Sequence, residues 1–163
     1  MARPVPDGFN TVSAYLVVRD ADLALEFYAR AFGAEPGTKL LAPDGKSTMH
    51  AEMRIGNSTV MLTQVNPEWG LKDPAGYGGS PVTMHIYVED ADALYERAVA
   101  AGCEVKFTIS DIFWGDRYGK LADPFGHEWG IATHVEDLSE EEISRRQAEY
   151  FASLAQAREK GSQ

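Results

Sequence analysis

Residues 12–26 (VSAYLVVRDADLALE) and 82–96 (VTMHIYVEDADALYE) lie over one another at a constant offset of 70. Ser13 matches Thr83, Tyr15 matches His85, Val18 matches Val88 and Asp20 matches Asp90. An internal repeat constrains a fold strongly, because each copy must form the same supersecondary unit. Each copy opens with a short run rich in valine and aromatics, which predicts a strand. Asp20 and Asp90 then stand as N-caps, whose carboxylates accept from the free N–H groups of a first helical turn. Leu23, Phe27 and Ala31 form an apolar helical stripe in the first copy, and Leu94, Ala98 and Ala101 do so in the second. Gly33 and Gly102 end the helices as left-handed caps.

The repeat runs beyond the helix, since Gly56 matches Gly126 at the same offset. Around these glycines, residues 54–62 and 124–132 read as turn followed by strand. Further strands are predicted over 39–41, 49–55, 104–109 and 117–122. The expected fold is α+β, with two tandem βαβββ modules at 11–63 and 82–134. Residues 64–81, punctuated by Gly70, Gly76, Gly78, Gly79, Pro67, Pro74 and Pro81, read as a mobile linker. A C-terminal helical extension follows over 135–163. Ser139 and Glu142 make a capping box for it, and Ile143, Tyr150, Phe151 and Leu154 give it an apolar face expected to pack on the protein's own body.

The chain of 163 residues carries a formal charge of −10 with a pI near 4.8. That balance speaks against nucleic-acid binding and against attraction to anionic membranes. Cys103 is the single cysteine, so no intrachain disulfide is available and the cytoplasm is the expected location. The first ten residues hold two prolines and no apolar run, and read neither as a signal peptide nor as a span.

The paired module, with DPFGHEW closing the second copy, resembles the vicinal oxygen chelate (VOC) superfamily of glyoxalase I, extradiol dioxygenases, fosfomycin-resistance enzymes and bleomycin-binding proteins. YLVVRDADLALEFYARAFGAE, MHAEMRIGNSTVML, GGSPVTMHIYVEDADALYERAVAAG and FWGDRYGKLADPFGHEWGIATHVEDLSEEE look like its PhnB-like branch. The resemblance implies two modules side by side around a shared concave cavity, a small-molecule ligand and a homodimer. It also implies four metal-ligand positions, which fall here on Ser13, Val60, Thr83 and Gly130. None of these is a competent transition-metal ligand, so no metal and no cofactor is expected.

Two residues further in, the second copy has His85 and Glu128, and the first has Tyr15 and Ser58. A shift of two keeps a side chain on one face of a strand, so all four are expected to face the cavity. If the first and last strands neighbour each other as the family implies, His85 and Glu128 stand four residues apart, roughly 13 Å, too far for one ion. His85 reads as a ligand-orienting or proton-moving imidazole, or as a core histidine. Glu128 reads as a general base raised by burial, or as a rim residue paired with Arg117. Gly130 is expected to enlarge the pocket. Trp114, Arg117, Tyr118 and Trp129 supply an aromatic wall with one cation, which Asp116 is expected to orient. His50 is a further candidate ligand residue. Phe125 reads as structural, Trp69 and Tyr77 as a lid, and His127 and His134 as surface residues.

These residues support three functions. One is a metal-free binding protein for a planar or amphipathic organic ligand. Another is a VOC enzyme, metal-free or of atypical site, using His85 or Glu128 in acid–base roles. The third is a dimeric scaffold with a vestigial cavity.

Overall fold

The computed structural model describes residues 2–160. The first module contains β1 (Tyr15–Val18), α1 (Ala21–Phe32), β2 (Glu35–Leu41), β3 (Thr48–Ile55) and β4 (Ser58–Gln64). The second contains β5 (Thr83–Tyr87), α2 (Ala91–Ala101), β6 (Glu104–Asp111), β7 (Asp116–Ala122) and β8 (Glu128–His134). The long helix α3 (Glu140–Lys160) ends the described chain. Each module forms one four-stranded sheet, in the orders β1-β4-β3-β2 and β5-β8-β7-β6. The outer strand pairs β1/β4 and β5/β8 are parallel, and every other pairing is antiparallel. The two tandem βαβββ modules and the C-terminal helix are therefore present.

Local chemistry explains the helix ends. Asp20 Oδ1 accepts from the Asp22 and Leu23 N–H groups at 3.0 Å, and Asp90 Oδ1 accepts from Ala93 N–H at 2.9 Å. Gly33 closes α1 at φ 68°, in the left-handed region that favours glycine. The buried face of α1 is Ala21, Ala24, Phe27, Tyr28, Ala31 and Phe32. Leu23 is 57% exposed, so the expected stripe is rotated toward Ala24 and Tyr28.

Helix α1 packs on α2, and the core runs continuously between the modules. Trp129 of β8, 1% exposed, stacks against Tyr28 and Phe32 of α1, and Phe125 meets Phe27 and Tyr28. Asp123 sits beneath this cluster and accepts from Tyr28 OH at 2.6 Å and Trp129 Nε1 at 2.8 Å. Arg97 of α2 donates to the Arg30 and Ala29 carbonyls at 2.6 and 2.9 Å, satisfying the last turn of α1.

The modules are not residue-for-residue copies. The 70-residue offset holds through the N-caps, but α1 has 12 residues and α2 has 11, and the caps Gly33 and Gly102 are 69 apart. The slip persists into the last strands: Tyr15 pairs with Met61, whereas His85 pairs with Gly130. A one-residue slip moves a side chain to the opposite face. Val60 and Leu62 face the helices in β4, and Trp129 and Ile131 do so in β8. Ser58 therefore shares the helix-covered side of β4 with Val60 and Leu62, while Glu128 lies on the uncovered side of β8. The two are not counterparts.

The details of three other segments go beyond the expectations. Strand β2 begins at Glu35 and is exposed throughout, with a register shift between Pro36 and Lys39. Residues 64–81, which join the modules, carry local structure. Asn66 caps a 3-10 turn at Pro67–Trp69, Asp73 caps another at Pro74–Tyr77, and Pro74 is buried. At the C-terminus, Ser139 Oγ accepts from Glu142 N–H at 3.2 Å, but the Glu142 carboxylate turns to Arg145 and Arg146, so only half of the capping box forms. Tyr150 and Phe151 of α3 rest on Phe113, yet no residue of α3 from 140 to 157 is buried.

Candidate functional site

Each sheet keeps one face free of helices. On the first, Tyr15 and Glu52 both pair with Met61, and His50 is two residues from Glu52 on β3. Period-two alternation puts all of them on the same side. His50 Nε2 lies 3.2 Å from Glu52 Oε1, and its Nδ1 lies 3.1 Å from Tyr15 OH. A carboxylate only accepts, so Nε2 carries the proton, and Nδ1 of the neutral ring accepts from the Tyr15 hydroxyl. The result is a Glu52–His50–Tyr15 relay.

On the second sheet, the free face carries Thr83, His85, Tyr87, Tyr118, Lys120, Glu128 and Gly130. His85 stacks on Tyr118 with ring centroids 5.6 Å apart and planes 4° from parallel. Phe107 and Trp114 flank Tyr118 and complete an aromatic shelf. Gly130 does not enlarge a pocket. A Cβ there would stand 2.9 Å from both His85 Nδ1 and Tyr118 Cε2, so the two rings fill the space that a side chain would take.

Several expected pairings are replaced. Glu128 pairs with Lys120 and accepts from Thr83 Oγ1 at 3.3 Å, so its rim partner is not Arg117. The Lys120 ammonium holds the Glu128 carboxyl below its usual range, opposite to the raised value expected from burial. Arg117 makes a bidentate contact with Asp92, at 2.8 and 2.6 Å, and a further bond to Asp111. Asp116, 2% exposed, does not orient Arg117. It accepts from Tyr87 OH and Trp114 Nε1 at 2.9 Å and from His134 Nδ1 at 2.8 Å. His134 is an exposed residue at the end of β8, as expected, and is in addition held by the buried Asp116 carboxylate. Trp129 belongs to the core. His85 and Glu128 are two residues apart in register, about 7 Å along the strands, instead of four.

A cavity of about 760 Å³ occupies the seam between the modules, where β1 and β5 approach. Tyr15 and Val17 wall it from the first module, and Met84 and His127 from the second. Lys72 and Tyr77 close it from the intervening segment. His127, 8% exposed, donates from Nε2 to the Val17 carbonyl at 2.9 Å and seals the back of the cavity. It is therefore a buried bridge between modules, not a surface residue. Lys72 Nζ lies 5.7 Å from the Tyr77 ring centroid. Trp69 lines a separate groove with Thr48 and Gln64.

Of the residues expected at the site from sequence, Tyr15 lines this cavity, Tyr77 closes it where a lid was expected, and His50 reaches it through Tyr15. The missed members are Glu52, Lys72 and Met84. Glu52 was signalled by His-x-Glu on a strand, a spacing that puts both groups on one face. Lys72 had no local signal.

The pattern of the Glyoxalase/Bleomycin resistance protein/Dioxygenase superfamily matches residues 8–131, and the chain belongs to that superfamily. An uncharacterised protein of Mycobacterium tuberculosis (strain ATCC 25618 / H37Rv) is 44% identical over 135 residues, covering 81% of this chain and 79% of its own. Among solved structures, TioX from Micromonospora sp. ML1 superposes with a TM-score of 0.63 at 24% identity, over 77% of this chain and 99% of its own. The Arabidopsis thaliana gene product At5g48480 does so with a TM-score of 0.61 at 27% identity, over 76% and 98%. The fosfomycin resistance protein FosX from Mesorhizobium loti shares the fold, with a TM-score of 0.55 at 18% identity, over 81% and 95%.

After the one-residue slip in the last strands, the counterpart of Gly130 on β4 is Met61 and not Val60, and the resulting set of Ser13, Met61, Thr83 and Gly130 does not fit a divalent ion. Val60 points into the core, Met61 offers only a thioether, Gly130 is overlaid by His85 and Tyr118, Ser13 Oγ donates to the Asn10 carbonyl and Thr83 Oγ1 donates to Glu128. Among the described residues, no three or more His, Cys, Asp or Glu side chains are gathered as a metal site elsewhere. No helix of the described residues is long and apolar enough to cross a membrane.

Proposed function

We propose that this protein binds a small, largely apolar organic molecule in the seam between its modules. The observation that carries the reading is the cavity itself. Its volume suits a drug-sized ligand, both modules contribute walls, and the lining is mainly Val, Leu, Met, Pro and aromatic side chains with few polar groups. The resemblance of its segments to the PhnB-like branch supports extending this reading to a cytoplasmic, homodimeric member of that branch.

A ligand that occupies the seam raises the melting temperature, because it binds the native state alone. Met84→Trp fills the cavity from β5. The expected result is that compounds stabilising the wild type leave this variant's melting temperature unchanged. Equal stabilisation of both proteins places the ligand elsewhere and contradicts the proposal.

A second reading, acid–base catalysis on the bound molecule, is favoured by the Glu52–His50–Tyr15 relay. Tyr15 touches the cavity and passes its proton to an oriented imidazole, the arrangement that activates a hydroxyl. Glu128 suits this role less, since its ion pair with Lys120 weakens it as a base. Under this reading Tyr15→Phe abolishes turnover while leaving ligand affinity within about threefold. Turnover that survives Tyr15→Phe excludes the relay.

A further inference from the structure

The charge distribution around the cavity specifies its ligand more narrowly. The chain has 25 acidic and 15 basic residues, yet among the described residues no Asp or Glu lines the seam. Lys72 is the only Lys or Arg among the described residues that does. Elsewhere Lys39, Lys106 and Lys120 are each paired with a carboxylate, to Asp22, Glu104 and Glu128. Among the described residues Lys72 has no such partner; Lys46 and Arg54 have none either, but they lie away from the cavity. The neighbouring Asp73 does not supply one, because its carboxylate caps the turn at Gly76 N–H and faces Arg19. Most of the remaining polar side chains are already committed, Ser80 Oγ among them through its bond to the Val82 carbonyl. Tyr15 OH donates to His50, and His127 Nε2 to the Val17 carbonyl. What the cavity offers a ligand is an apolar body, the neutral Tyr77 hydroxyl and one ammonium steadied over the Tyr77 ring.

We propose that the ligand is an organic anion, an apolar or aromatic body bearing one carboxylate that meets the Lys72 ammonium. The proposal rests on the reading of the seam as the ligand site. A carboxylate gains a charge-assisted contact there, whereas a cationic ligand meets a like charge with no acid in the wall to offset it. An acidic protein with one basic cavity also draws the anion to that cavity in preference to the rest of its surface.

The test uses matched probes that differ in one group, 2-naphthoate, 2-naphthamide and 2-naphthylmethylamine, with the phenyl analogues as a smaller set. Affinities are measured by calorimetry at low ionic strength for the wild type, Lys72→Met and Lys72→Arg. The expected result is that the carboxylate binds at least about tenfold tighter than the amide, and the amine weakest. Lys72→Met levels carboxylate and amide without weakening the amide, Lys72→Arg keeps the preference, and salt reduces it. An amide that binds the wild type as tightly as the carboxylate overturns the anion proposal and leaves the seam standing as a site. So does a carboxylate preference that survives Lys72→Met. If no probe of either set binds saturably, the reading of the seam falls and the anion proposal falls with it.

Discussion

Tyr28 of the first module donates its hydroxyl to Asp123 Oδ2 of the second at 2.6 Å, inside the core and across 95 residues of sequence. The same carboxylate oxygen accepts from Trp129 Nε1, and the other accepts from the N–H groups of Phe125 and His127. Asp123 therefore fixes the turn that positions His127, and through it the rear wall of the cavity. Burial, with the Asp123 charge beside it, pushes the Tyr28 phenol well above its ordinary value, so it remains a donor. Tyr28→Phe removes one bond to a buried carboxylate and is expected to lower unfolding stability by about 2 kcal/mol. Asp123→Ala leaves several buried donors unmatched and is expected to cost more, about 3–5 kcal/mol. Denaturant titration checks the order; equal effects contradict the hub role.

Gly130→Ala tests how the second sheet face is built. The added methyl meets His85 and Tyr118 at 2.9 Å, and their stacked geometry must open. A loss of about 1–2 kcal/mol is expected, partly recovered when His85→Ala is added and space returns. Additive losses in the double variant argue that the rings do not occupy that space.

The His134 imidazole is held above its ordinary value, first by its bond to Asp116 and next by Asp137. A raised folded value means that the native state favours the charged ring. Its stabilising contribution is complete below the unfolded imidazole value near 6.5 and is lost as pH rises through the higher folded value. Nitrogen NMR of His134 is expected to show that upward shift, and Asp116→Asn to remove most of it. Titration at the ordinary value in the wild type contradicts the pairing.

Much of the fold was legible because its signals are local. Asp20, Asp90 and Gly33 announce helix ends, and the valine-rich runs announce β1 and β5. Strand β2 was read short because Pro36 and Gly37 resemble a turn, although they sit at a register shift in an exposed edge strand. The larger misreading came from extending one offset along the whole repeat. Gly56 and Gly126 match at 70, but they occupy turns of different length, residues 56–57 between Ile55 and Ser58, and 123–127 between Ala122 and Glu128. With α2 one residue shorter, the last strands are out of step by one, and Ser58 and Val60 were put on the wrong face. The site suffered for a further reason. Its cavity depends on how two sheet edges and a linking segment come together, and no period in the sequence encodes the approach of Lys72 and Tyr77 to β1.

The central claim, a ligand site in the seam between the modules, is tested most directly by methyl NMR on methionine-labelled protein titrated with a library of organic compounds. Met84 lines the cavity, whereas Met61 lies on the free face of the first sheet and Met53 in the core. A compound that binds is expected to shift the Met84 methyl saturably and to leave Met53 in place. Saturable binding that moves Met61 and leaves Met84 unchanged puts the ligand on the open sheet and contradicts the account.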